Sequence, residues 1–165
     1  MKAVRLFTFL TVIFLLTTSA YAKDLKIAYV ELGGVFNNYQ KTKDYDAKLQ
    51  KESQDVQKQM EDMIKGFRDE QGKMALLKED EKQKLQAGLE KKQKDIISFR
   101  EQKKAELTKK FEDMRKEIII EIEKVVSDIA KKDGYTFVLN DTVILYADKE
   151  TNITEQVLKV LNEKK

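Results

Sequence analysis

The sequence predicts an α+β fold in which a small β-rich body carries a long antiparallel α-helical hairpin, a coiled-coil-like arm. Three observations predict it. Residues 41–132 contain no proline and only three glycines, and Lys, Glu, Gln, Leu and Ala dominate them, all good helix formers. Runs of β-branched and aromatic residues flank that stretch at 25–30 and 135–146, where strands are expected. Strands so far apart share a sheet only if the chain between them returns to its starting point, and two antiparallel helices achieve this. The 165 residues suffice for one small core with a long attachment.

Residues 1–22 read as a signal peptide. Lys2 and Arg5 form a positive start, Leu6 to Leu16 is an apolar run, and Ala20-Tyr21-Ala22 is a small-x-small site that predicts cleavage before Lys23. The run is about 11 residues long, short of the ~20 that a spanning helix needs. Export is therefore expected. Without cysteine, the mature chain forms no disulfide in an oxidising compartment, so packing or self-association must hold it together. Cleavage removes two of the 32 basic residues and none of the 29 acidic ones, leaving a net charge of +1.

The body is predicted from residues 23–40 and 133–165. Leu25 to Val30 is a strand, Gly33-Gly34 interrupts it, and Val35, Phe36 and Tyr39 suit a short helical turn. Asp133-Gly134 stops the long helical region. Two strands follow, Tyr135 to Leu139 and Val143 to Tyr146, separated by the turn-like Asn140-Asp141-Thr142. Asn152 with Glu155 resembles a capping box, opening a last helix with Val157, Leu158, Val160 and Leu161 apolar.

Within the arm, 41–132, the reversal is placed between Met74 and Asp80. Gly72 weakens the helix there, and Glu79-Asp80-Glu81 suits a new helix N-terminus. On the returning helix Leu107, Phe111, Met114, Ile118, Ile122, Val125 and Ile129 recur about every 3.67 residues, which predicts a straight stripe rather than a heptad coil. Tyr45, Leu49, Val56, Met60, Met63, Ile64 and Phe67 form a thinner stripe on the outgoing helix. Toward the tip, charge dominates, so the arm should splay there. Residues 41–81 carry 9 basic and 11 acidic side chains, and 82–116 carry 12 and 6. Interhelical pairs account for this most simply. Otherwise a basic face (Lys91, Lys92, Lys94, Arg100, Lys103, Lys104, Lys109, Lys110) attracts an anionic partner.

The composition excludes much chemistry. With no His and no Cys, there is no His/Cys zinc site, thiol nucleophile or Ser-His-Asp triad. No cofactor or metal is expected, and the chain reads as no enzyme. Export and the lack of aromatics among the basic residues other than Phe99 argue against nucleic acid. Core candidates of the body are Ile27, Tyr29, Phe36, Phe137, Leu139, Ile144, Tyr146, Val157 and Leu161. The body has only some 50 residues, near the lower limit for an independent core, and its three-stranded sheet leaves two open edges, which self-association closes. A homo-oligomer follows, of unspecified copy number.

Lys26-Ile27-Ala28-Tyr29-Val30-Glu31, Val35-Phe36-Asn37-Asn38-Tyr39, the charged hairpin, Gly134-Tyr135-Thr136-Phe137-Val138-Leu139 and Ile144-Leu145-Tyr146-Ala147 leading to Ile153-Thr154-Glu155-Gln156-Val157-Leu158 together resemble the Skp (OmpH-like) family of periplasmic chaperones. The two flanking segments, in this order, are the specific part. The resemblance implies a homotrimer in the periplasm, with a β-rich trimerisation body and three arms enclosing a cavity. There it would hold unfolded outer-membrane proteins without ATP and prevent their aggregation in transit. Ile27, Tyr29, Phe137, Leu139, Ile144 and Tyr146 become the oligomerisation candidates. Met74, Leu77, Leu85, Leu89 and Phe99 become the client-contact candidates; Met60 and Met63 fit interhelical packing better. Weak contact with anionic membrane or lipopolysaccharide also belongs to the family picture, but a net charge of +1 gives it little support and no residue is assigned to it. The rival reading is an envelope adaptor whose arms grip one folded partner, and it would call for a regular apolar seam at the tip.

Overall fold

Strand β1 (Ile27–Val30) and strand β2 (Phe137–Asn140) pair in parallel, with Ile27 opposite Phe137 and Val30 opposite Asn140. Over a hundred residues separate them. The computed structural model describes residues 25–163; the leader expected at 1–22 lies outside them. After β1 come helix α1 (Leu32–Asn38) and helix α2 (Gln40–Lys73). A 3-10 turn (Met74–Leu76) leads into helix α3 (Glu79–Asp133), then β2, two further 3-10 turns and helix α4 (Thr154–Glu163).

The arm follows its sequence closely. The chain reverses at Met74–Lys78, and Glu79, Asp80 and Glu81 fill the first turn of α3, where carboxylates oppose the positive helix end. Three ion pairs record the register of the two helices: Lys41 with Glu121, Glu52 with Lys110, and Glu70 with Lys92. The step from Lys41 to Glu52 is 11 residues, as is that from Glu121 to Lys110. The next step is 18 residues on both helices. Eleven residues make about three turns and eighteen make five, so the same faces meet again without supercoiling.

The core sits at the base of the arm. Met114, Ile118, Ile122, Val125 and Ile129 of α3 are buried, together with Val35, Val157, Leu158 and Leu161 from the short helices, Tyr39 and Ile153 at the ends of those helices, and Ala28 and Val30 from β1. Leu107 is half-buried, but Phe111, expected on the same stripe, stays 46% exposed. It lies beyond the body, where only one thin helix faces it. α3 is ~83 Å long, and its last turns serve the body as much as the arm. Ile118 is fully buried, so Ile118→Ala should cost about 2–5 kcal/mol, read as a lower urea midpoint. A loss below about 1 kcal/mol would show that the base is not close-packed.

Gly134 ends α3 at φ 75°, a left-handed conformation that glycine adopts without a Cβ penalty. The Tyr135 N–H then donates to the Ala130 carbonyl at 2.9 Å, and the Thr136 N–H to the Lys26 carbonyl at 2.7 Å, which feeds the chain into β2. Lys26 Nζ donates to the Asp133 carbonyl at 2.8 Å and lies 4.4 Å from the Tyr135 ring centre.

Three expectations need correction. Val143 to Tyr146 is no strand: Asp141–Val143 forms a 3-10 turn, the Ile144 N–H bonds back to the Asp141 carbonyl, and the sheet has two strands. A strand needs a neighbour, and this segment has no ladder partner among the described residues. Second, Ile27, Phe137, Leu139 and Tyr146 are exposed and Tyr29 and Ile144 only half-buried. Ala28 and Val30 face the helices instead, because alternate residues of a strand point to opposite faces. Third, Asn152 forms no capping box with Glu155. Its Oδ1 accepts from the Thr154 N–H at 2.9 Å, its Nδ2 donates to Glu31 Oε1 at 2.8 Å, and the Ile153 N–H donates to the Tyr29 carbonyl at 2.9 Å. The residue closes one edge of β1 rather than merely starting a helix.

Candidate functional site

Two surfaces stand out, the outer face of the sheet and the distal part of the arm. The outer face starts from strand parity. Ala28 and Val30 turn inward, so Ile27 and Tyr29 turn outward, and the parallel register sets Phe137 beside Ile27 and Leu139 beside Tyr29. The irregular segment after β2 then passes this face. Ile27, Tyr29, Leu139, Ile144 and Tyr146 line an open trough of about 530 Å³ with Val143 and Leu145. Five of the six sequence-predicted residues therefore converge, and the sixth, Phe137, lies beside them on the strand. Leu145 is fully exposed, Tyr146 84%, Val143 72% and Phe137 55%. Single exposed apolars are ordinary, but contiguous large ones mark an interaction surface.

Val143 and Leu145 were missed. As a strand, 143–146 would have sent them opposite to Ile144 and Tyr146; without the strand, all four border one trough. The signal was available in the run itself, since four apolars in a row leave neither parity polar. The other edge of β1 is closed by Ile153 and by Thr154, whose Oγ1 accepts from the Glu31 N–H at 2.9 Å. β2 has no further ladder partner among the described residues, so it is an edge strand.

At the base of the arm, polar contacts fix the angle between helices. Lys41 lies between Glu117, at 2.6 Å, and Glu121. Tyr39 Oη donates to Glu121 Oε2 at 3.0 Å and Tyr45 Oη to Glu117 Oε2 at 3.2 Å. Hydrogen bonds to Glu117 and Glu121 hold the Lys41 ammonium charged well above its ordinary range. The bond from Lys41, seconded by Tyr45, keeps the Glu117 carboxyl below the usual carboxylate range. Burial, then the bond to Glu121, pushes the Tyr39 phenol up. This group clamps the first turn of α2 onto α3.

Farther out, packing thins. Met60, Met63, Met74, Leu77, Leu85 and Phe99 are half-buried between the helices. Leu89 is buried to 6%, which corrects its place among the contact candidates: it packs inside the hairpin and offers little surface. Leu76, 87% exposed at the turn, and Ile97, 51% exposed, were not among the contact candidates. The basic run is partly neutralised. Lys92 and Lys110 pair across the hairpin, and Lys103 and Lys109 pair along α3 with Glu106 and Asp113. Lys91, Lys94, Arg100 and Lys104 make no ion pair among the described residues. Within those residues there is no acidic cluster arranged to hold a metal ion, and no helix is long and apolar enough to cross a membrane.

The chain matches the family model of OmpH-like outer membrane proteins over residues 26–161. No curated protein is similar to it in sequence. Among solved structures it resembles a candidate outer membrane chaperone, OmpH-like, from Caulobacter crescentus CB15. The TM-score is 0.79 at 14% identity, with 86% of each chain covered. At that identity the likeness is one of fold.

Proposed function

This chain belongs to the OmpH-like family of outer membrane proteins, and from that premise we propose that it is an ATP-independent holdase chaperone of the periplasm. Its clients are unfolded outer-membrane proteins. Three copies join through the outer sheet faces, and the three arms enclose a cavity in which one client is kept from its neighbours. The chemistry is non-covalent throughout, and no enzymatic step is involved.

One observation carries the reading: the hairpin is fastened by a dense core at its base and continues outward as two helices with half-exposed Met, Leu and Phe side chains between charged ones. Such a surface suits a partner without fixed shape. Methionine and leucine adapt to irregular apolar segments, and the surrounding charges attract without demanding a sequence. A folded partner would call for a regular seam, and the tip lacks one.

The test is the light-scattering mass of the mature protein, alone and after mixing with an outer-membrane barrel protein diluted from urea. A trimer that gains the mass of one client is expected. A trimer that ignores the unfolded client, or a monomer in either sample, would overturn the proposal.

A further inference from the structure

In the outer part of the arm, Gly66 of α2 faces Ile96 of α3, four residues from the Glu70–Lys92 pair on both helices. The two helices leave a notch of about 230 Å³ there, lined by Asp62, Met63, Gly66, Lys92, Asp95 and Ile96. Glycine is a costly choice inside a helix, second only to proline, and backbone geometry does not require it here: Gly134 alone among the described residues has positive φ. Packing does not require it either, because a Cβ at Gly66 would meet nothing within 4 Å. The missing side chain leaves space that the fold itself does not use.

The walls of that space have a defined chemistry. Met63 and Ile96 are half-buried and make an apolar floor. On the rim, Lys92 is engaged by Glu70. Asp62 and Asp95 make no ion pair among the described residues. The rim is thus net acidic within an arm whose returning helix is basic from 82 to 116.

We propose that this notch is a docking site for a basic–apolar segment of an extended client: one aromatic or large aliphatic side chain enters above Met63, Gly66 and Ile96, and Lys or Arg residues two positions away meet Asp62 and Asp95. In an extended chain, side chains two apart lie on the same side, about 7 Å from each other, so one segment can fill the floor and reach the rim together. The inference rests on the holdase reading and adds to it a fixed point on the arm with a preference of charge.

The experiment uses the whole mature protein with 13C-labelled Met and Ile methyls. It is titrated with a capped heptapeptide carrying Phe at its centre and Lys two positions to either side, and with the same peptide carrying Glu in place of Lys. The Lys peptide should shift the Met63 and Ile96 methyls and bind about tenfold tighter than the Glu peptide, as two partly exposed charge pairs would give. Gly66→Leu, a change to a better helix former, should abolish the shifts. Asp62→Asn with Asp95→Asn should remove the preference between the peptides. Equal response to both peptides, or shifts that survive Gly66→Leu, would overturn the proposal. So would shifts that appear on raising the protein concentration alone, since these would make the notch a contact between copies. Suppression of client aggregation on the same samples separates the two levels: a protein that holds the client while these methyls ignore both peptides overturns the notch alone, and one that fails to hold the client overturns the reading beneath it.

Discussion

Leu139→Asp combined with Leu145→Asp should yield a folded monomer. Both side chains lie outside the core, Leu145 fully exposed and Leu139 38% exposed, so the isolated chain keeps its buried core. Joined copies behave differently. Each aspartate would have to enter an apolar contact without a partner, and a buried unpaired charge costs several kcal/mol. Two per subunit oppose the apolar gain that has to offset the entropic cost of association. Light scattering should therefore show the mass of one chain, while far-ultraviolet circular dichroism keeps its helical amplitude. Val30→Asp is the contrast. That side chain is 6% exposed on the inner face of the same strand, so its replacement should unfold the body instead of separating copies. Persistence of the oligomer in the double variant would remove the outer sheet face from the assembly.

A residue's place was legible in the sequence where its role was local. Helix limits are local: the acidic triplet at Glu79–Glu81, the reversal at Met74–Lys78 and the stop at Gly134 follow from propensity, dipole and backbone freedom. The buried series Met114, Ile118, Ile122, Val125 and Ile129 was legible because an apolar stripe on a charged helix has a unique period. Faces of the sheet were not. In β1, Ile27 and Tyr29 alternate with Ala28 and Val30, so both parities are apolar and the pattern does not say which is inside. The larger pair drew the core assignment; the helices cover the smaller pair. The segment 143–146 failed for a related reason, since strand propensity acts only where a ladder partner exists. At the tip, Leu89 is buried and Leu76 exposed, and no period distinguishes them because a short hairpin end packs by local turn geometry. The candidate site was thus legible in its residue types and not in their directions.

Excising residues 60–102 and joining Gln59 to Lys103 through a short glycine-serine loop should keep the oligomer and abolish holding. The cut respects the register. Gln59 lies seven residues beyond Glu52 and Lys103 seven before Lys110, and Glu52 pairs with Lys110, so the two ends already face each other. Loop closure across so short a gap costs little. Of the buried residues only Leu89 is lost; Met114 to Ile129, the Lys41 clamp and the whole sheet face remain. The mass should fall only by the excised residues of each copy, and the thermal transition of the body should move by a few degrees at most. Holding depends on reach instead. The excision shortens each arm by roughly 30 Å and removes the notch at Gly66, together with Met63, Met74, Leu77, Leu85, Ile97 and Phe99. What remains is a rim too shallow to separate one unfolded chain from another. In a turbidity assay the client should aggregate as though no protein were added. Full suppression by the shortened oligomer would place the holding surface on the body and refute a cavity formed by the arms.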